Sequence, residues 1–89
     1  MGNVNCLSFA GVKCWFYSLD HRPPHFHAKR KGKWHIRVYF MRAKTQMIEH
    51  VPGSKGRIRG KERRELLRVA ELCREELLQE WEQKVHPDV

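Results

Sequence analysis

Apolar and polar positions alternate most clearly at residues 34 to 41, where Trp34, Ile36, Val38 and Phe40 interleave with His35, Arg37, Tyr39 and Met41. Successive side chains of a strand leave opposite faces, so this stretch predicts a half-buried β-strand. Residues 12 to 19 predict another, rich in the strand formers Trp15, Phe16 and Tyr17. Here both parities are apolar: Val12, Cys14 and Phe16 share one side, and Trp15, Tyr17 and Leu19 the other, as in a strand covered on both faces. Residues 25 to 30 predict a third strand, with a turn at Lys31-Gly32. A less regular fourth runs from Thr45 to Val51, before Pro52-Gly53-Ser54-Lys55-Gly56 breaks the pattern as a loop.

From Lys61 to Val85 the period becomes helical. Leu66, Ala70, Cys73, Leu77, Trp81 and Val85 form one apolar stripe, flanked by Leu67 and Leu78. At about 100° per residue Leu72 lies nearly opposite that stripe, in solvent or against a partner. Gly60 is a tolerable N-cap, Glu62 and Glu65 suit the positive end, and Lys84 and His86 suit the negative end before Pro87. The expected fold class is α+β, a small antiparallel sheet of three or four strands with one long C-terminal helix packed on a face. Its core joins Leu66, Ala70, Cys73, Leu77 and Trp81 to Trp34, Ile36, Val38 and Phe40. Residues 1–89 form a single domain with a core over about residues 9–86.

Charge changes the picture. Residues 1–60 carry a balance of +10, with Asp20 and Glu49 their only acids, and residues 61–89 carry −2, giving the net +8. A polyanion or an acidic protein would meet the front two-thirds of the chain. Cys6, Cys14 and Cys73 share no close spacing, which argues against a disulfide framework or zinc knuckle and for a reducing, cytoplasmic home. No apolar run approaches the roughly 20 residues of a membrane span, and the start of the chain lacks the regions of a secretory signal.

The candidate chemistry centres on Asp20-His21-Arg22-Pro23-Pro24-His25-Phe26-His27. The prolines stiffen entry to a strand on which His25 and His27 leave one face, about 6.8 Å apart. A shared metal ion would need a third ligand from His21, Asp20, His35 or His50. Whether His35 is in reach depends on hairpin register. A two-residue loop at Lys31-Gly32 sets His25 and His27 with Trp34, Ile36 and Val38, whereas a three-residue loop sets them with His35 and Arg37. Alternatively the imidazoles hydrogen-bond within the proline turn and order it. A third possibility is acid–base cleavage of RNA by His21, His25 and His27, with Arg22, Lys29, Arg30, Lys31, Lys33 and Arg37 to stabilise phosphate charge. Tyr17 and Tyr39 could stack bases or donate protons. The same composition fits an RNA-binding surface without chemistry, and Lys29 to Lys33 also fit a plainly solvated turn.

This histidine motif, the downstream Gly32-Lys33-Trp34-His35-Ile36-Arg37-Val38 and the helix end Glu75-Glu76-Leu77-Leu78-Gln79-Glu80-Trp81 resemble a small bacterial family, the domain of unknown function DUF4160. Together they span most of residues 9 to 83. Between Met41 and Gly60 the chain departs from the usual pattern, being richer in basic residues and carrying the Pro52 to Gly56 loop. The resemblance implies a member of a two-protein, toxin–antitoxin-like module with a small cognate protein partner. It brings no established chemistry and no cofactor. The resulting expectation is a component that binds or cleaves RNA through a basic, histidine-bearing surface formed by Arg22, Lys29, Arg30, Lys31, Lys33, Arg37 and Tyr39 around the histidines. The alternatives are a non-catalytic module whose basic face binds an acidic partner, and a small metal-binding protein using His21, His25, His27 and His35.

Overall fold

A computed structural model describes residues 2–4, 7, 9–17 and 21–85. The strands are β1 (Gly2–Asn3), β2 (Lys13–Phe16), β3 (Phe26–Arg30), β4 (Trp34–Val38) and β5 (Ile48–His50), and the helices are α1 (Gly60–Leu72) and α2 (Arg74–Lys84). Each strand pairs antiparallel with the next, so the sheet order follows the chain. The α+β expectation holds. The sheet gains an edge strand that the sequence pattern did not mark, and with it Val4 and Leu7 join the core below residue 9.

Strand parity decides what the core contains. Phe16 from β2, Phe26 and Ala28 from β3, and Trp34, Ile36 and Val38 from β4 are buried on one face, together with Phe40 beyond β4. Leu66, Leu67, Ala70, Leu77, Trp81 and Val85 close over them, with Cys73 and Leu78 half-buried at the margin. Aromatic edges carry much of the join: the Phe16 ring meets Phe26 at 6.5 Å and Trp81 at 6.4 Å between centroids, a separation at which edge-to-face pairs add to area burial. Leu72 is 69% exposed, as its angle on the helix requires.

The single long helix needs correction. It is two segments that meet at Cys73, whose backbone (φ −97°, ψ 15°) leaves the helical range. Neither proline nor glycine stands there. Instead Arg74 opens α2 by donating from Nε to the Phe40 carbonyl (2.7 Å) and from Nη2 to that of Arg42 (3.3 Å). The bend lets α2 anchor to the end of the sheet while Leu77 and Trp81 stay in the core. Gly60 is the first residue of α1 rather than its cap, and the residue before it, Arg59, makes no side-chain cap. The fourth predicted strand is also shorter than expected, because Lys44–Gln46 form a 3-10 turn that seats Met47 in the core before β5. Leu19, Cys6 and His86 lie outside the described residues.

Candidate functional site

The turn after β3 settles the face of the histidines. Arg30 pairs with Trp34, Lys29 with His35 and His27 with Arg37, so residues 31–33 form a three-residue loop. Gly32 sits within it at φ +76°, a left-handed conformation that a side chain would strain. Directly opposed residues share a face, and so His27 and Lys29 stand with His35 and Arg37 on the side opposite the core, and His25 and Tyr39 continue that face to the end of the sheet, where His25 meets Trp81 of α2. The pairing of β2 with β3 adds Trp15 opposite His27 and Lys13 opposite Lys29. Tyr17 follows on the same side. One face of the sheet thus belongs to the core and the other to a mixed aromatic, histidine and lysine surface.

The rings on this second face cover one another. Trp15 stacks on His27 (5.4 Å) and lies 5.5 Å from His35, and His27 is 5.7 Å from His35, so the three form a near-equilateral cluster. Tyr17 meets His27 edge-on at 4.6 Å, and His25 sits between His27, Tyr39 and Trp81. As a result His25 and His27 are only 4% and 5% exposed. His25 Nδ1 donates to the Pro23 carbonyl at 2.9 Å, since a carbonyl can only accept. The bond closes back within the proline turn, where the Arg22–Pro23 peptide is cis.

His35 is half-buried at the rim of this cluster, and its Nε2 has no hydrogen-bond partner among the described residues. Burial, reinforced by the charges of Lys29 and Arg37, holds its pKa below the usual histidine value. Both effects favour the neutral imidazole. Tyr39 is buried under the Arg42 guanidinium at 4.0 Å, and burial together with the Glu49 carboxylate raises its pKa. The guanidinium covers the Tyr39 ring against a ligand, whereas Tyr17 is 42% exposed.

Two clefts open on either side of Lys29 and Lys31. One, of about 690 Å³, is lined by Lys13, Trp15, Tyr17 and both lysines. The other, of about 420 Å³, lies between Lys33, His35 and the Pro52–Lys55 loop. Lys13, Lys29, Lys31 and Lys33 are exposed and form no ion pair among the described residues.

Not every predicted site residue joins this surface. Arg30 points to the core side, where its Nε donates to Glu62 at 2.6 Å, beside the Trp34 indole that donates to the same carboxylate at 3.0 Å. Its place is as a clamp between the hairpin and α1. Arg37 is on the open face but is held by Glu49 at 2.6 Å. His21 and Arg22 are exposed in the proline turn; Arg22 lines a separate hollow beside Trp81 and Glu82. Asp20 lies outside the described residues. Among the described residues no three His, Cys, Asp or Glu side chains are grouped to hold a metal ion, so His21, His25, His27 and His35 make no such set. His50 faces the core side and accepts a hydrogen bond from the Ile58 amide at 3.1 Å. Burial pushes the Cys14 thiol up to about 11, far from a nucleophile's range. Lys13, Trp15 and Lys55 belong to the surface but were not singled out for it from the sequence. Only the β2–β3 pairing could have placed Lys13 and Trp15 there.

The structure thus defines a small α+β domain with one sheet face in its core and the other presented as a lysine-rimmed aromatic surface. A family model for the domain of unknown function DUF4160 matches residues 11–82, and the chain belongs to that family. No curated protein and no solved structure matches it. Among the described residues no helix is long and apolar enough to cross a membrane.

Proposed function

We propose that this protein is one member of a two-protein, toxin–antitoxin-like module and that it binds RNA through the open face of its sheet. The two-protein setting rests on the family. RNA binding rests on one observation: four lysines, Lys13, Lys29, Lys31 and Lys33, rim an aromatic surface with no acidic partner among the described residues. Such lysines are suited to phosphates, which supply most of the affinity in non-specific nucleic-acid binding. Binding is favoured over cleavage because a general acid or base must come within about 3 Å of the proton it moves. His25 and His27 are buried, and His25 spends a nitrogen on the Pro23 carbonyl.

The test is the salt dependence of binding to a single-stranded oligoribonucleotide. With four phosphate contacts the log–log slope is about −2.8, or roughly 50-fold weaker binding from 50 to 200 mM salt. Lys29→Glu and Lys31→Glu should weaken binding to all sequences alike, whereas Arg30→Gln should act mainly on stability. Absence of binding to any RNA at low salt would overturn the proposal and leave the acidic-partner alternative.

A further inference from the structure

We infer that the larger cleft is a nucleotide subsite, in which one unstacked base of single-stranded RNA lies on the exposed ring of Tyr17 while Lys13 and Lys29 hold its flanking phosphates. The inference rests on the RNA-binding reading and specifies which nucleic acid it takes and how. Lys13 and Lys29 are directly opposed across the β2–β3 pair, on the same face. Like charges at such positions repel, and no carboxylate among the described residues sits between them. An anion bound there would relieve that repulsion, and Lys31 on the rim would add to its hold.

The walls fit the rest of a nucleotide. At about 690 Å³ the cleft is within the range of small-ligand sites. Of the aromatic rings on this face, Tyr39 is covered by Arg42, and Trp15 has His27 stacked on it with the Lys13 ammonium 6.0 Å from its ring centre. Tyr17 is by far the most exposed of these tyrosine and tryptophan rings, at 42%, and is held at right angles to Trp15 at 5.9 Å and against His27 at 4.6 Å. Trp15 also lines the cleft, its ring forming part of the wall beside Tyr17. Bases in an A-form duplex are already stacked and cannot be laid on a side chain, so the site selects single strands.

Fluorescence anisotropy with the full chain separates the subsite from general phosphate binding. Tyr17→Ala should weaken binding of a labelled single-stranded oligoribonucleotide about 5- to 150-fold, the range for losing one base–aromatic stack. Tyr17→Phe should stay within about twofold. The salt slope should be unchanged by Tyr17→Ala but should fall by about 0.7 for each of Lys13→Ala and Lys29→Ala. A duplex of equal length should bind more weakly, as should an abasic strand with its phosphates intact, which needs no variant of the protein. Salt-dependent binding in which the abasic and natural strands bind equally, or Tyr17→Ala binds as the parent does, would overturn the subsite while leaving phosphate binding in place. Failure of the parent protein to bind RNA at low salt would overturn the RNA-binding reading itself, and the subsite with it.

Discussion

Leu77 and Leu72 lie on the two helical segments on either side of the Cys73 junction, and the structure assigns them opposite fates. Leu77 has no accessible surface and sits in the cluster with Ile36, Val38 and Trp81, whereas Leu72 is largely in solvent. Changing either to Ala leaves helix propensity nearly untouched, so the two substitutions differ almost entirely in burial. At Leu77 three carbons leave the core, worth about 2.4 kcal/mol at about 0.8 kcal/mol per buried methylene. The cavity left behind carries the total to about 2.5–5 kcal/mol. At Leu72 the change should stay within about 0.5 kcal/mol. Urea unfolding followed by tryptophan fluorescence reads the difference directly, because Trp34 and Trp81 border the same core. In a domain of this size a loss of 3 kcal/mol lowers Tm by roughly 12–24 °C. Equal costs at the two sites, or a cost at Leu77 within about 0.5 kcal/mol, would refute the assignment of the helix face and the packing built on it.

Two further outcomes follow from close contacts. A Cβ placed on Gly56 would come 2.3 Å from the Lys33 carbonyl, so Gly56→Ala should push the 52–56 loop off the hairpin and cost about 1–3 kcal/mol; unchanged urea stability would show that the loop yields freely. Stability should also fall as the solution is acidified below pH 6.5. Burial, then the charges of Arg57 and Arg63, lower the pKa of His50, and burial with Lys29 and Arg37 lowers that of His35. The unfolded chain therefore takes up protons first, so this stabilisation is complete above about pH 6.5 and is lost as pH drops through that value towards the folded pKa. His50→Gln should flatten the decline between pH 7 and 5, and an identical profile in this variant would refute the part assigned to His50.

Periodicity carried most of the fold. The 34–40 alternation and the three- and four-residue steps from Leu66 to Val85 each report one buried face, and burial is what makes these elements pack. The features that escaped depend on contacts distant in sequence. Nothing near Cys73 breaks a helix; the junction forms because Arg74 reaches carbonyls 34 and 32 residues earlier. The edge strand at Gly2–Asn3 has no apolar pattern of its own and exists through its pairing with Trp15 and Phe16. The start of β5 gave way to a 3-10 turn because Met47, the buried residue there, is delivered by its carbonyl's bond to the Tyr39 amide at 2.7 Å.

The surface was legible as a set of residues but not as an arrangement, and register is the reason. One residue more or less in the 31–33 loop would have turned His25 and His27 towards the core side. Once the three-residue loop fixes the face, Trp15 and Tyr17 cover His27, and Tyr39 and Trp81 cover His25, contacts that sequence spacing alone does not show. That burial changes the role of the histidines. Buried imidazoles that stack on Trp15 and hold the Pro23 carbonyl stiffen a platform, while the groups left facing water are lysines and the Tyr17 ring. Arg30 makes the same point in reverse. By composition it belonged with Lys29 and Lys31, but strand alternation sends it to the core side, where Glu62 neutralises it. A basic run read along the chain therefore divides in space into a structural clamp and an exposed rim. Only the rim is available to a polyanion, and it is on the rim that the proposed chemistry of this protein depends.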